Sequence, residues 1–108
     1  MKIKHGQKGS YNILRVRGTI DPIEDLKELK SIILEMFEQG KMNFAIQFEN
    51  TQYIYSGALA ILIGIYKGIT PRGGKVAIIE PSETVKDLWD TFNLFEIIPL
   101  IDNEDKLE

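Results

Sequence analysis

The sequence predicts an α/β domain with a mixed, mostly parallel central sheet and elements in the order ββαβαβαβ. Three observations predict it. Period-2 alternation is confined to the stretch before Gly18, helical periodicity recurs in three later stretches, and short apolar runs rich in strand formers separate those stretches. Strands joined through helices need crossover connections, which are right-handed and favour parallel pairing. With 108 residues, of which 44% are hydrophobic and 27% charged, the chain fits one domain, 1–108, around one core.

Lys2-Ile3-Lys4-His5 and Tyr11-Asn12-Ile13-Leu14-Arg15-Val16-Arg17 alternate, and Lys8-Gly9-Ser10 between them is turn chemistry, so the chain opens with a hairpin. Asp21 then stands as an N-cap, with Pro22 at the first helical position and Glu24 where a capping-box partner belongs. Ile23, Leu26, Leu29, Ile32, Ile33, Met36 and Phe37 recur at helical spacing until Gly40 closes the helix. Asn43 to Phe48 is a core strand, and Ser56 to Lys67 is a helix apolar on most sides, expected to be buried against a sheet. After the Pro71-Arg72-Gly73-Gly74 turn, Lys75 to Ile79 is another core strand. Pro81-Ser82 opens a third helix with the stripe Val85, Leu88, Trp89 and Phe92. Ile97 to Ile101 is a last strand, placed at an edge by Pro99, and Asp102 to Glu108 is a charged end expected to fray.

Much chemistry is excluded by composition. Without cysteine there is no disulfide, thiolate metal site or cysteine nucleophile, and a single histidine, His5, leaves no multi-histidine metal site. His5 sits in a strand, with no GxSxG elbow anywhere, so a hydrolase triad is not expected. Gly68 to Lys75 superficially resembles a phosphate-binding loop, but it runs from helix into strand and no Ser or Thr follows the Lys. Glu24 with Glu28, and Glu80 with Glu83, lie on polar faces that suit solvated charge. Trp89 falls on an apolar stripe and is expected in the core. No catalytic residue, metal or cofactor is therefore assigned. The net charge of -3 argues against direct nucleic-acid binding, although five basic residues and no acid fall in residues 1–20. No apolar stretch suits a signal peptide or membrane insertion, and the chain is expected in the cytoplasm.

By elimination the chain reads as a binding module. Its most informative segment is Glu49 to Ala58, between the third strand and the second helix, because functional groups of parallel α/β sheets gather at the carboxyl ends of strands. Tyr53, Tyr55 and Ser56 bring three hydroxyls to this turn, next to a helix N-terminus that can accept an anion. Ser56 serves equally as the N-cap of that helix.

Gly18-Thr19-Ile20-Asp21 resembles the Gly-x-Ile/Leu-Asp approach to the first helix of the STAS-domain family, in particular the anti-sigma factor antagonists. Tyr53-Ile54-Tyr55-Ser56-Gly57-Ala58-Leu59-Ala60 falls where that family has an apolar pair followed by Asp-Ser-Ser/Thr-Gly-Leu-Gly. Ile61 to Lys67, Gly73-Gly74, Val85, Leu88, Phe92, Leu94-Phe95 and Ile97-Ile98 keep the family spacing, so the likeness covers nearly the whole chain. The resemblance implies a STAS-like single domain and a non-enzymatic, bacterial transcription regulator. Such a protein binds an anti-sigma factor, a GHKL-type serine kinase, by partner switching, and phosphorylation at the second helix's N-terminus switches it off. Here the gapless register puts Tyr55 at the family's Asp and Gly57, which has no hydroxyl, at the phosphorylated position. Sliding the loop by one residue makes Ser56 the acceptor but requires an insertion in the helix. The resemblance places partner contacts at Asp21, Tyr53, Tyr55, Ser56, Gly57, Ala58 and Ala60. Two other functions stay open: a non-switching STAS scaffold or regulatory subunit of a transporter-associated or sensory complex, and a small-ligand binder using the same loop.

Overall fold

A computed structural model of the chain describes residues 2–17, 22–48, 57–79 and 83–107. Strand β1 (Lys2–Lys8) and strand β2 (Tyr11–Arg17) form the expected antiparallel hairpin, turned at Gly9, whose φ of 59° favours a residue without Cβ. Helix α1 (Pro22–Glu38) follows and stops at Gly40, where φ is 98° and the Lys41 N–H donates back to the Met36 carbonyl at 3.1 Å. Strand β3 (Asn43–Phe48), helix α2 (Gly57–Ile69), strand β4 (Lys75–Ile79), helix α3 (Glu83–Thr91) and strand β5 (Leu100–Ile101) complete the alternation. The five strands lie side by side in chain order, antiparallel only between β1 and β2.

Successive crossovers that all step the same way across a sheet, each right-handed, put every helix on one face. The core shows this arrangement. Leu14 and Val16 of β2, Phe44, Ile46 and Phe48 of β3, and Val76 and Ile78 of β4 alternate toward a cluster holding Leu26, Leu29, Ile33 and Phe37 of α1, Leu62, Ile65 and Ile69 of α2, and Trp89 of α3. As expected, α2 is deeply embedded and Trp89 is fully buried, with its Nε1–H donating to the Ile98 carbonyl at 2.9 Å.

Three details differ from the sequence expectation. Phe92 is 60% exposed, not part of the α3 stripe: the helix ends at Thr91, Asn93 takes a left-handed φ of 54°, and the following 3-10 turn puts Leu94 into the core instead. The last strand is two residues long, not five, because Ile97 closes that 3-10 turn and Pro99 has no N–H to lend to a ladder.

The third difference is the charged end, which is docked across the helix-free face of the sheet. Residues Glu104–Lys106 make a 3-10 turn, capped by the Asn103 side chain, and Leu107 is buried among Tyr11, Ile13, Ala45, Ala77 and Ile79. Ala45 and Ala77 are paired neighbours on β3 and β4, and their small side chains leave the space that Leu107 fills. Ion pairs from Lys8 to Asp105 (3.0 Å) and from Arg15 to Glu104 (2.6 Å) tie this tail to the hairpin, and one from Lys86 to Asp102 (2.6 Å) ties it to α3. A tail with an apolar anchor and three cationic partners has reason to stay ordered despite its composition.

Candidate functional site

The parallel strands send their carboxyl ends to one end of the sheet, where Val16 of β2 stands opposite Phe48 of β3. The segments expected to carry the site leave from these neighbouring ends, residues 18–21 after β2 and residues 49–56 after β3. Asp21, Tyr53, Tyr55 and Ser56 lie outside the described residues. Gly57 is the first residue of α2, with Ala58 next, and Ala60 one turn on is exposed. The first turn of α2 holds no acidic side chain, and the partial positive charge of a helix N-terminus suits an anion.

Beyond Ala60, the outer side of α2 continues through half-buried Ile63 and Gly64 to exposed Lys67. Gly64 and Gly68 face the neighbouring α1. A Cβ on Gly64 would stand 3.2 Å from Lys30 Nζ, and one on Gly68 would stand 3.5 Å from Leu34 Cδ2. The first is the end of a flexible side chain and the second an ordinary contact distance, so the helix pair would accommodate alanine at either position.

His5 is engaged structurally. Its Nε2–H donates to Asn12 Oδ1 at 3.1 Å, and the buried Asn12 donates in turn to the Asn43 carbonyl at 3.1 Å, a chain that joins β1, β2 and β3. The hydrogen bond from Lys86 holds Asp102 below its ordinary value, reinforced by the charge of Lys86, and the same bond raises Lys86. Among the described residues, no group of three or more His, Cys, Asp or Glu side chains is placed to hold a metal ion, and no helix is long and apolar enough to cross a membrane.

A family model described as the STAS domain matches residues 3–107. The chain belongs to the STAS domain family. It is also 34% identical over 62 residues to a protein of Paenibacillus polymyxa named anti-sigma F factor antagonist; the match takes in 57% of this chain and 53% of the relative. The chain thus spans about half the length of the curated relative it matches. Among solved structures, the NMR structure of the protein TM1081 superimposes with a TM-score of 0.80 at 20% identity, covering 98% of this chain and 85% of the other. The Bacillus cell fate determinant SpoIIAA, in its phosphorylated form, gives a TM-score of 0.69 at 15% identity, covering 96% and 95%. At these identities the two structures speak to the fold, and the STAS fold is the one that the motifs around Asp21 and Ser56 resemble, antagonist type included.

Sequence reasoning located the helix start at Ser56–Gly57 from the apolar run that follows it. It missed what the docked tail builds at the other end of the sheet, where Tyr11, Lys75, Pro99 and Lys106 border a cavity. The available signal was Pro99, a residue without an N–H at a ladder position.

Proposed function

We propose that this STAS domain is a regulatory binding module that acts by partner switching in the bacterial cytoplasm, engaging an anti-sigma factor of the GHKL serine-kinase type and performing no catalysis of its own. The observation that carries this reading is the 34% identity to an anti-sigma F factor antagonist, within a family match that runs almost end to end. The binding surface is assigned to the segments after β2 and β3 and the first turns of α2: Asp21, Tyr53, Tyr55, Ser56, Gly57, Ala58 and Ala60. A kinase would approach a helix N-terminus with no acid in its first turn. Phosphate on Ser56 would bring about -1.5 to -2 charge to that surface and repel an acidic or apolar partner.

A second reading is favoured by one specific feature. Gly57 occupies the family's phosphoacceptor position in the gapless register and has no hydroxyl. On that reading the domain binds constitutively, as a scaffold or regulatory subunit of a transporter-associated or sensory complex.

Affinity purification of the native protein, with mass spectrometry of the co-purifying chains and of the peptide containing Ser56, separates the two. A histidine-kinase-like ATPase with phosphate on Ser56 supports the switching antagonist. The same ATPase with Ser56 unmodified supports an antagonist without the switch, and a transporter or sensor in its place supports the scaffold.

A further inference from the structure

The β4–β5 ladder consists of two pairs, Ile78 with Leu100 and Ile79 with Ile101. The Ile78 N–H donates toward β5, to the Pro99 carbonyl at 2.9 Å, whereas the Lys75 N–H donates across the opposite edge, to the Met42 carbonyl at 2.9 Å. Alternate residues of a parallel strand turn both backbone groups to the same edge. Val76 therefore directs its N–H and its C=O toward the β5 side, as Ile78 does. Continuing the register, the donor facing the Val76 carbonyl would be residue 99, a proline. Among the described residues no backbone hydrogen bond closes on Val76 from that side.

A cavity of about 280 Å³ opens at this interruption. It lies at the amino ends of the parallel strands, between the end of α2 and the docked tail, so it is separated by the length of α2 from the segments assigned to partner binding. Thr70, which lines it, has its Oγ1 buried with no hydrogen-bond partner, an unusual condition for a buried polar atom. Tyr11, Ala77, Ile101 and Leu107 give the cavity apolar walls. Its charged lining groups are both cations, Lys75 and Lys106. The tail's own acids are engaged elsewhere: Asp102 with Lys86, Glu104 with Arg15 and Asp105 with Lys8. Neither Lys75 nor Lys106 has a carboxylate within ion-pair distance among the described residues, although the charge of Lys106 also reaches Asp102 from further off.

We propose that this cavity binds a small amphipathic carboxylate that carries one hydrogen-bond donor. The carboxylate meets the ammonium groups of Lys75 and Lys106, the apolar body lies against Ala77, Ile101 and Leu107, and the donor satisfies the Val76 carbonyl or Thr70 Oγ1. The volume is near the lower end of the range of roughly 300–1,000 Å³ for ligand pockets, which suits a single-ring or short-chain acid better than a nucleotide. Because Lys106 and Leu107 form one wall, occupancy and tail docking reinforce each other.

The test is an amide-resolved NMR titration of the full chain with 4-hydroxybenzoate, which has a ring, a carboxylate and one hydroxyl donor. Saturable shifts centred on Gly74, Val76, Ala77 and Leu107 are expected. They should weaken roughly five- to tenfold with the neutral 4-hydroxybenzyl alcohol, and by a similar factor in a Lys75→Ala, Lys106→Ala double variant, whose exposed changes leave the core intact. Lack of saturation up to about 10 mM would overturn the proposal. So would equal binding of acid and alcohol, or shifts that the double variant leaves unchanged.

Discussion

Gly64 and Gly74 are both tightly surrounded, yet replacing them should have opposite effects. Around Gly74 a Cβ would run into the Ile69 side chain and stand 2.8 Å from the Met42 carbonyl oxygen and 3.0 Å from Phe37 Cε1. A backbone carbonyl and a core aromatic cannot yield cheaply, so Gly74→Ala should cost about 1–3 kcal/mol. At Gly64 the nearest atom is the end of the flexible Lys30 side chain, at 3.2 Å, and the position is mid-helix. Gly64→Ala should therefore stabilise the chain by about 0.5–1 kcal/mol. Urea denaturation of the two variants checks both signs. Trp89 gives a further test, because its indole N–H is the group that satisfies the buried Ile98 carbonyl. Trp89→Phe keeps most of the apolar volume but leaves that carbonyl without a donor, for an expected loss of about 1–3 kcal/mol on the same assay.

Elements whose identity depends on local signals were legible in the sequence, and those that depend on distant surfaces were not. Pro22 starts α1 and Gly40 ends it where their backbone chemistry led one to expect, and the apolar density of α2 correctly implied burial. The tail was misjudged because its charge composition is that of a solvated end, whereas its order derives from an Ala45–Ala77 gap and from cations on Lys8, Arg15 and Lys86, all far away in sequence. Leu107→Ala should loosen the tail without unfolding the sheet, speeding amide exchange at Leu107 by roughly thirtyfold, the equivalent of about 2 kcal/mol. The Lys86–Asp102 clamp adds a pH dependence. Asp102 is held below its ordinary 3.8, so its contribution is complete above that value and is lost as the pH falls through the lower folded value. Lys86 is raised above 10.5, so its contribution is complete below that value and is lost only in stronger alkali. Tail docking should thus be flat across neutral pH and weaken at strongly acid pH. Lys86→Met should flatten the Asp102 part of that acid step, as followed by the Leu107 methyl resonances.

The whole molecule divides its surfaces by the direction of its parallel strands, with the α2 N-terminus at the carboxyl ends and the tail-walled cavity at the amino ends. The first of these was legible because a β-to-α turn rich in hydroxyls is a local pattern. The residues proposed to meet a partner there rest on the family resemblance, from which Tyr55 departs at the family's Asp. This separation makes the partner surface testable apart from stability. Ser56→Asp adds a full negative charge immediately before Gly57, the first residue of a helix with no acid in its first turn. There the charge is tolerated by the helix itself, so thermal stability should stay within about 0.5 kcal/mol of the parent. A partner that approaches the same helix end with acidic or apolar groups is repelled, and affinity for the co-purified kinase should fall roughly tenfold or more. Ser56→Ala, at the position the sequence offers as N-cap, should cost about 1 kcal/mol and lower that affinity far less than Ser56→Asp does. Calorimetric titration of the purified partner against the three proteins reads these effects separately. An Asp variant that binds as tightly as the parent would move the partner surface away from the start of α2.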